Sequence, residues 1–150
     1  MNMPIRKLTM KLAILLTALL LVTVHGADKY DVLAVHKTKA TFKGTREHRC
    51  MGLTSLCPDR CGDSGTMAIF AIDEYTLYEK RGEYGDEKQT TFQFLTENNM
   101  KQAKIPAELL AQMKTLKPGD KVVLEWEHRY MNHDGSRWPE RPVTKLEKIP

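Results

Sequence analysis

Three cysteines, Cys50, Cys57 and Cys61, lie in the stretch HRCMGLTSLCPDRCGDSG at 48–65, with His48 two places before the first. Three kinds of chemistry suit them. In an oxidising compartment neighbouring cysteines pair, and three of them allow three single pairings with one sulfur left over. Joining Cys50 to Cys61 would close a loop of about a dozen residues, worth on the order of 3 kcal/mol in the chain-entropy account. The second chemistry is metal ligation. His48, Cys50, Cys57 and Cys61 supply one nitrogen and three sulfurs, a tetrahedral set for Zn, and His133 is a further candidate ligand. The same soft donors suit Cu(I), with Met51 in reserve. The spacing matches no common zinc module. Thiol redox catalysis is the third. It needs a thiolate stabilised by positive charge or a helix N-terminus. Arg49 and Arg60 are opposed there by Asp59 and Asp63, and no helix start is visible.

The compartment follows from the first residues. Arg6, Lys7 and Lys11 lead into an apolar run from Leu12 to Val24 interrupted only by threonines, which ends at Val24-His25-Gly26. A basic start, an apolar stretch of this length and a small-residue exit describe a secretory signal peptide over residues 1–26. The run is short for a span and lacks a basic stop-transfer flank, so the expectation is a secreted or periplasmic protein without a stable membrane anchor. Three of the 23 Lys and Arg residues lie in the leader, leaving 20 against 19 acidic residues. That near-neutral balance gives no reason to expect nucleic-acid binding, which relies on clustered phosphate contacts. The partner expected is a small ligand or another protein, and no cofactor is implied beyond Zn or Cu.

About 124 residues remain, enough for one domain over 27–150 with a single core. Residues 30–42, 66–79 and 90–97 read as strands from their β-branched and aromatic content, with Phe92 and Phe94 on one face. Ile105, Leu109, Met113 and Leu116 recur at helical spacing after Pro106, and Pro118-Gly119 stops that pattern. From Asp120, Val122, Leu124, Trp126, His128 and Tyr130 alternate with polar residues as a fourth strand. Asp134-Gly135 then marks a tight hairpin, and RPVTKLEKI returns as the fifth.

Three strands, a helix and two strands make a mainly β chain that resembles the OB-fold, a five-stranded, partly open barrel with a helix between its third and fourth strands. That resemblance implies that the loops after strands 1 and 4 flank one ligand-binding face, bringing the cysteine stretch beside MNHDGSRWPE. Tyr130, Arg137 and Trp138 would then offer stacking and hydrogen-bonding groups there. A second, local resemblance concerns CPDRC, residues 57–61, which is similar to the C-P-D-x-C motif of the Sco copper-chaperone family. In that family two cysteines and a distant histidine hold copper. Carried over, Cys57 and Cys61 are the sulfur ligands, and His128 or His133 the histidine. The match covers five residues, and GDSGTMAIFAI follows it as turn then strand, where that family opens a helix.

His128, on the apolar face of its strand, is expected to be buried and hydrogen-bonded. Asp73, Glu74 and Glu79 are expected on a wet face. No Gly-rich phosphate loop, G-x-S-x-G elbow, H-E-x-x-H helix or carboxylate pair is present, so no catalytic residue is assigned. The expected function is an exported binding or interaction module whose cysteine loop is stapled beside a ligand face. The alternative is a periplasmic Cu- or Zn-binding protein using Cys57, Cys61 and a histidine.

Overall fold

The structure, a computed structural model, describes residues 29–52 and 54–150. The expected leader at 1–26 lies outside them. Among the described residues six strands and one helix follow in order: β1 Lys29–His48, β2 Gly65–Lys80, β3 Thr91–Asn98, α1 Ala107–Met113, β4 Lys121–His133, β5 Ser136–Glu140 and β6 Val143–Lys148. All pairings are antiparallel, in the order β3-β2-β1-β4-β5, with β6 also on β4.

The β-rich class and the helix between strands three and four agree with the sequence. Strand count and closure do not. The expected fifth strand, RPVTKLEKI, is β6, which pairs with β4 over Val122–Trp126. Strand β5, which pairs with β4 over Arg129–His133, is an additional strand within the segment expected as a loop. Between them lies Pro142, which has no N–H to give the ladder and only accepts, from Glu127 N–H at 3.2 Å. Among the described residues β3 and β6 do not pair, so the sheet stays open.

Strand β1 is the organiser. Its residues 34, 36, 38, 40 and 42 are all buried, a period of two that sets one face on the core. Register shifts at Lys37/Thr38, Lys39/Ala40 and Phe42/Gly44 let this long strand bend around it. The core comprises Trp126, Phe70, Leu124, Leu146 and Val122, with Phe92 stacked on Trp126 at 4.0 Å between ring centroids. Helix α1 buries Leu109 and Met113 there, and Ile105 and Leu116 pack against the cluster, so the expected stripe is the one used. On β4 the expected alternation holds as far as His128 and then shifts: Tyr130 is exposed and Met131 buried. The change falls beside the irregularity at Val32/Ala34 in the facing strand.

Candidate metal centre

The cysteine loop is closed at its base by the end of β1 against the start of β2, where His48 pairs with Gly65. Only glycine fits at 65. A Cβ there would lie 2.2 Å from the Glu97 carbonyl oxygen, and its φ is +145°. Ser64, buried beside it, accepts the Cys50 N–H at 3.0 Å and donates to the Pro58 carbonyl at 2.6 Å. Asn99, in the turn that follows β3, donates through Nδ2 to the Pro58 and Asp59 carbonyls at 3.1 and 2.6 Å, while its own N–H reaches Ser64 O at 2.8 Å. These bonds tie the turn carrying Cys57 and Cys61 to the segment carrying Cys50.

The three sulfurs consequently meet. All lie within 4.8 Å of one another, with Cys50 buried and Cys57 and Cys61 half-buried, and the group could hold a metal ion. Backbone amides point at them: Thr54 N–H reaches Cys57 Sγ at 3.4 Å, and Asp63 N–H reaches Cys61 Sγ at 3.4 Å. The donor on Cys57 favours the charged form of that sulfur. Cys50 and Cys57 have their sulfurs 2.8 Å apart. That hydrogen bond, more than the lesser ones from Thr54 and Cys61 and against the upward push of desolvation, brings the Cys57 thiol down to about 6.

Several expectations change here. No disulfide joins the cysteines, so the staple is not formed, and the pair in contact is Cys50–Cys57 rather than Cys50–Cys61. His48 and His133 are not part of the gathered donor set. His133 sits in the β4–β5 hairpin against Asp134, with Nε2 3.3 Å from its carboxylate. That hairpin lies where Asn132 faces Lys29, the first residue of β1, whereas the cysteine loop leaves the last. Twenty residues of strand therefore separate the two loops along β1. They do not form the expected single rim. Nor do Tyr130, Arg137 and Trp138 form one face. Pairing of Tyr130 with Pro139, Met131 with Trp138 and Asn132 with Arg137 puts Trp138 on the opposite side of the ribbon from the other two. The Trp138 indole N–H is held by Glu140 at 2.7 Å.

His128 is buried as expected, its Nδ1 accepting the Asp86 N–H at 3.2 Å, and Asp73, Glu74 and Glu79 are exposed as expected. The residue the sequence reading passed over is His36. It is fully buried, stacked on Trp126 at 4.6 Å and 5°, with Tyr78 and Tyr75 at 5.3 and 6.0 Å. Neither ring nitrogen has a hydrogen-bond partner among the described residues. Burial lowers the pKa of both His36 and His128, against the pull of Asp86. Burial alone would raise the Asp86 carboxyl, yet two bonds from Arg141, at 2.6 and 2.9 Å, hold it below the usual range. The available signal was parity, since residue 36 shares its face with Ala34, Thr38 and Ala40.

Outside the loop, a cleft of about 800 Å³ lies across the open side of the sheet, with Phe94 of β3, Leu109 of α1 and Val143 of β6 in its wall. Arg129, Glu140 and Arg141 line it from one side and Asp63, at the foot of the cysteine loop, from another. Among protein-family models, curated proteins and solved structures, none matches this chain.

Proposed function

We propose that this is an exported metal-binding domain in which Cys50, Cys57 and Cys61 hold a soft ion, Cu or Zn. The convergence of three sulfurs within 4.8 Å carries the reading. The Cys57 thiol, brought down to about 6 chiefly by Cys50, supports it, because thiolate is the ligand form and a low thiol pKa makes it available. The donor set is Cys50 with the CPDRC pair, in place of a pair and a histidine. Export rests on the leader pattern of residues 1–26. The test is elemental analysis of the protein purified anaerobically, with thiols counted before and after chelation. One equivalent of Cu or Zn, with three thiols protected until the metal is stripped, is expected. Absence of metal after reconstitution, with all three thiols reduced and reactive, would remove the proposal.

A second reading rests on the cleft between β3, α1 and β6. Its apolar wall of Phe94, Leu109 and Val143, edged by Arg129 and Arg141, suits a small amphipathic ligand. Such ligands should raise Tm in the parent protein and not in Phe94→Glu. Shifts that survive that substitution would exclude the cleft.

A further inference from the structure

We propose that the cysteine loop is a three-coordinate site selective for a monovalent soft ion, Cu(I) or Ag(I), over Zn(II). This rests on the metal-binding reading above and specifies its ion. Donor number is the first argument. Among the described residues only three His, Cys, Asp or Glu side chains gather, all through sulfur, whereas structural Zn(II) takes four ligands. Neither His48, at the foot of the loop, nor His133, in the hairpin at the far end of β1, joins them. Softness is the second: an all-thiolate set disfavours hard ions and suits Cu(I) and Zn(II) alike, so donor number decides between those two.

Geometry is the third. Metal–sulfur bonds of about 2.3 Å put the corners of a planar MS3 unit about 4.0 Å apart. The sulfurs here span 2.8 Å for Cys50–Cys57 to at most 4.8 Å. Binding thus needs Cys50 and Cys57 to part by about 1.2 Å, a movement available to side-chain torsions. The backbone is already clamped. Ser64 joins the Cys50 amide to the Pro58 carbonyl, and Asn99 holds the Pro58 and Asp59 carbonyls. A loop held this way presents three donors and has little freedom to swing in a fourth.

The test is anaerobic titration of the reduced protein with Cu(I) against a chromophoric Cu(I) chelator, and with Zn(II) against a zinc dye. X-ray absorption on the copper form then counts the ligands. Expected are one Cu(I) per chain with three sulfur neighbours at about 2.3 Å and no imidazole, and a Zn(II) Kd weaker than about 1 µM, short of the range of structural zinc sites. Cys61→Ser should weaken Cu(I) binding at least about 100-fold, and Cys50→Ser likewise, with circular dichroism checking that the sheet persists. Submicromolar four-coordinate Zn(II) would overturn the inference and leave the metal-binding reading standing. So would a two-sulfur copper site indifferent to Cys61, or a nitrogen neighbour. If neither ion binds, both fall together.

Discussion

Replacing His36 with phenylalanine should make the protein markedly more resistant to mild acid. The imidazole is fully buried in the stack with Trp126 and has no hydrogen-bond partner among the described residues, so the native state holds it neutral. Its neighbours from every side are Tyr75 and Tyr78 of β2, with the Lys88 ammonium over both rings, and His128, Asp86 and Arg141 beyond. Unfolded, His36 takes up a proton near the ordinary value of about 6.5. Its folded pKa is lowered, with burial the leading cause, so below that value the unfolded chain binds more protons and stability falls with pH. The slope reaches about 1.4 kcal/mol per pH unit for each histidine that stays neutral in the fold. From pH 6.5 to 5.0 the loss is up to about 2 kcal/mol for His36, and His128, shifted the same way, adds to it. Carboxylates such as Asp86 titrate below this window because their values are lowered further. Cys57, near 6, titrates within it but does so in both proteins and cancels in the comparison. For a domain of this size about 2 kcal/mol corresponds to about 8 °C in Tm. Calorimetry of the reduced, metal-free proteins at pH 7.5 and 5.0 measures it. The drop in Tm between those conditions should be smaller in His36→Phe by up to about 8 °C. An unchanged drop would show that His36 is protonated in the fold or reached by water, and the reasoning would fail.

Three further outcomes follow from the loop. In metal-free protein Cys57 should be alkylated first, with a rate rising through a midpoint near pH 6, as mass mapping of labelled peptides would show; Cys61 reacting first would contradict the role of the Cys50 hydrogen bond. Ser64→Ala and Asn99→Asp should each weaken metal binding about 10- to 100-fold, the usual scale for groups that orient ligands, and Ser64→Thr, which keeps the hydroxyl, should restore most of it. Equal affinities in all three variants would reduce these residues to ordinary loop supports. Gly65→Ala should prevent correct folding, because its Cβ would collide with backbone at 2.2 Å; a soluble variant with unchanged Tm would mean β2 and β3 can part there.

Order and periodicity were legible in the chain. Alternation in β4 as far as His128, the stripe Ile105, Leu109, Met113, Leu116 and the turn at Asp134-Gly135 are local patterns, and each appears where its period placed it. The hairpin turn takes positive φ at both central residues, +47° and +79°, as Asp-Gly allows. The cysteine cluster was also visible as a candidate, because its members are close in sequence. What tertiary structure decided was which donors share a space. Register is a relation between strands, so nothing local to His133 says that its hairpin faces residue 29 of β1 rather than residue 48. Likewise Asn99, just after β3 and some forty positions from the loop it clamps, has no signal in its own neighbourhood. His36 lay on a readable face, but its stack with Trp126 depends on pairing across ninety residues. Short-range torsions and apolar periods write the elements into the sequence, whereas the site depends on distances between remote segments that only the packed sheet fixes.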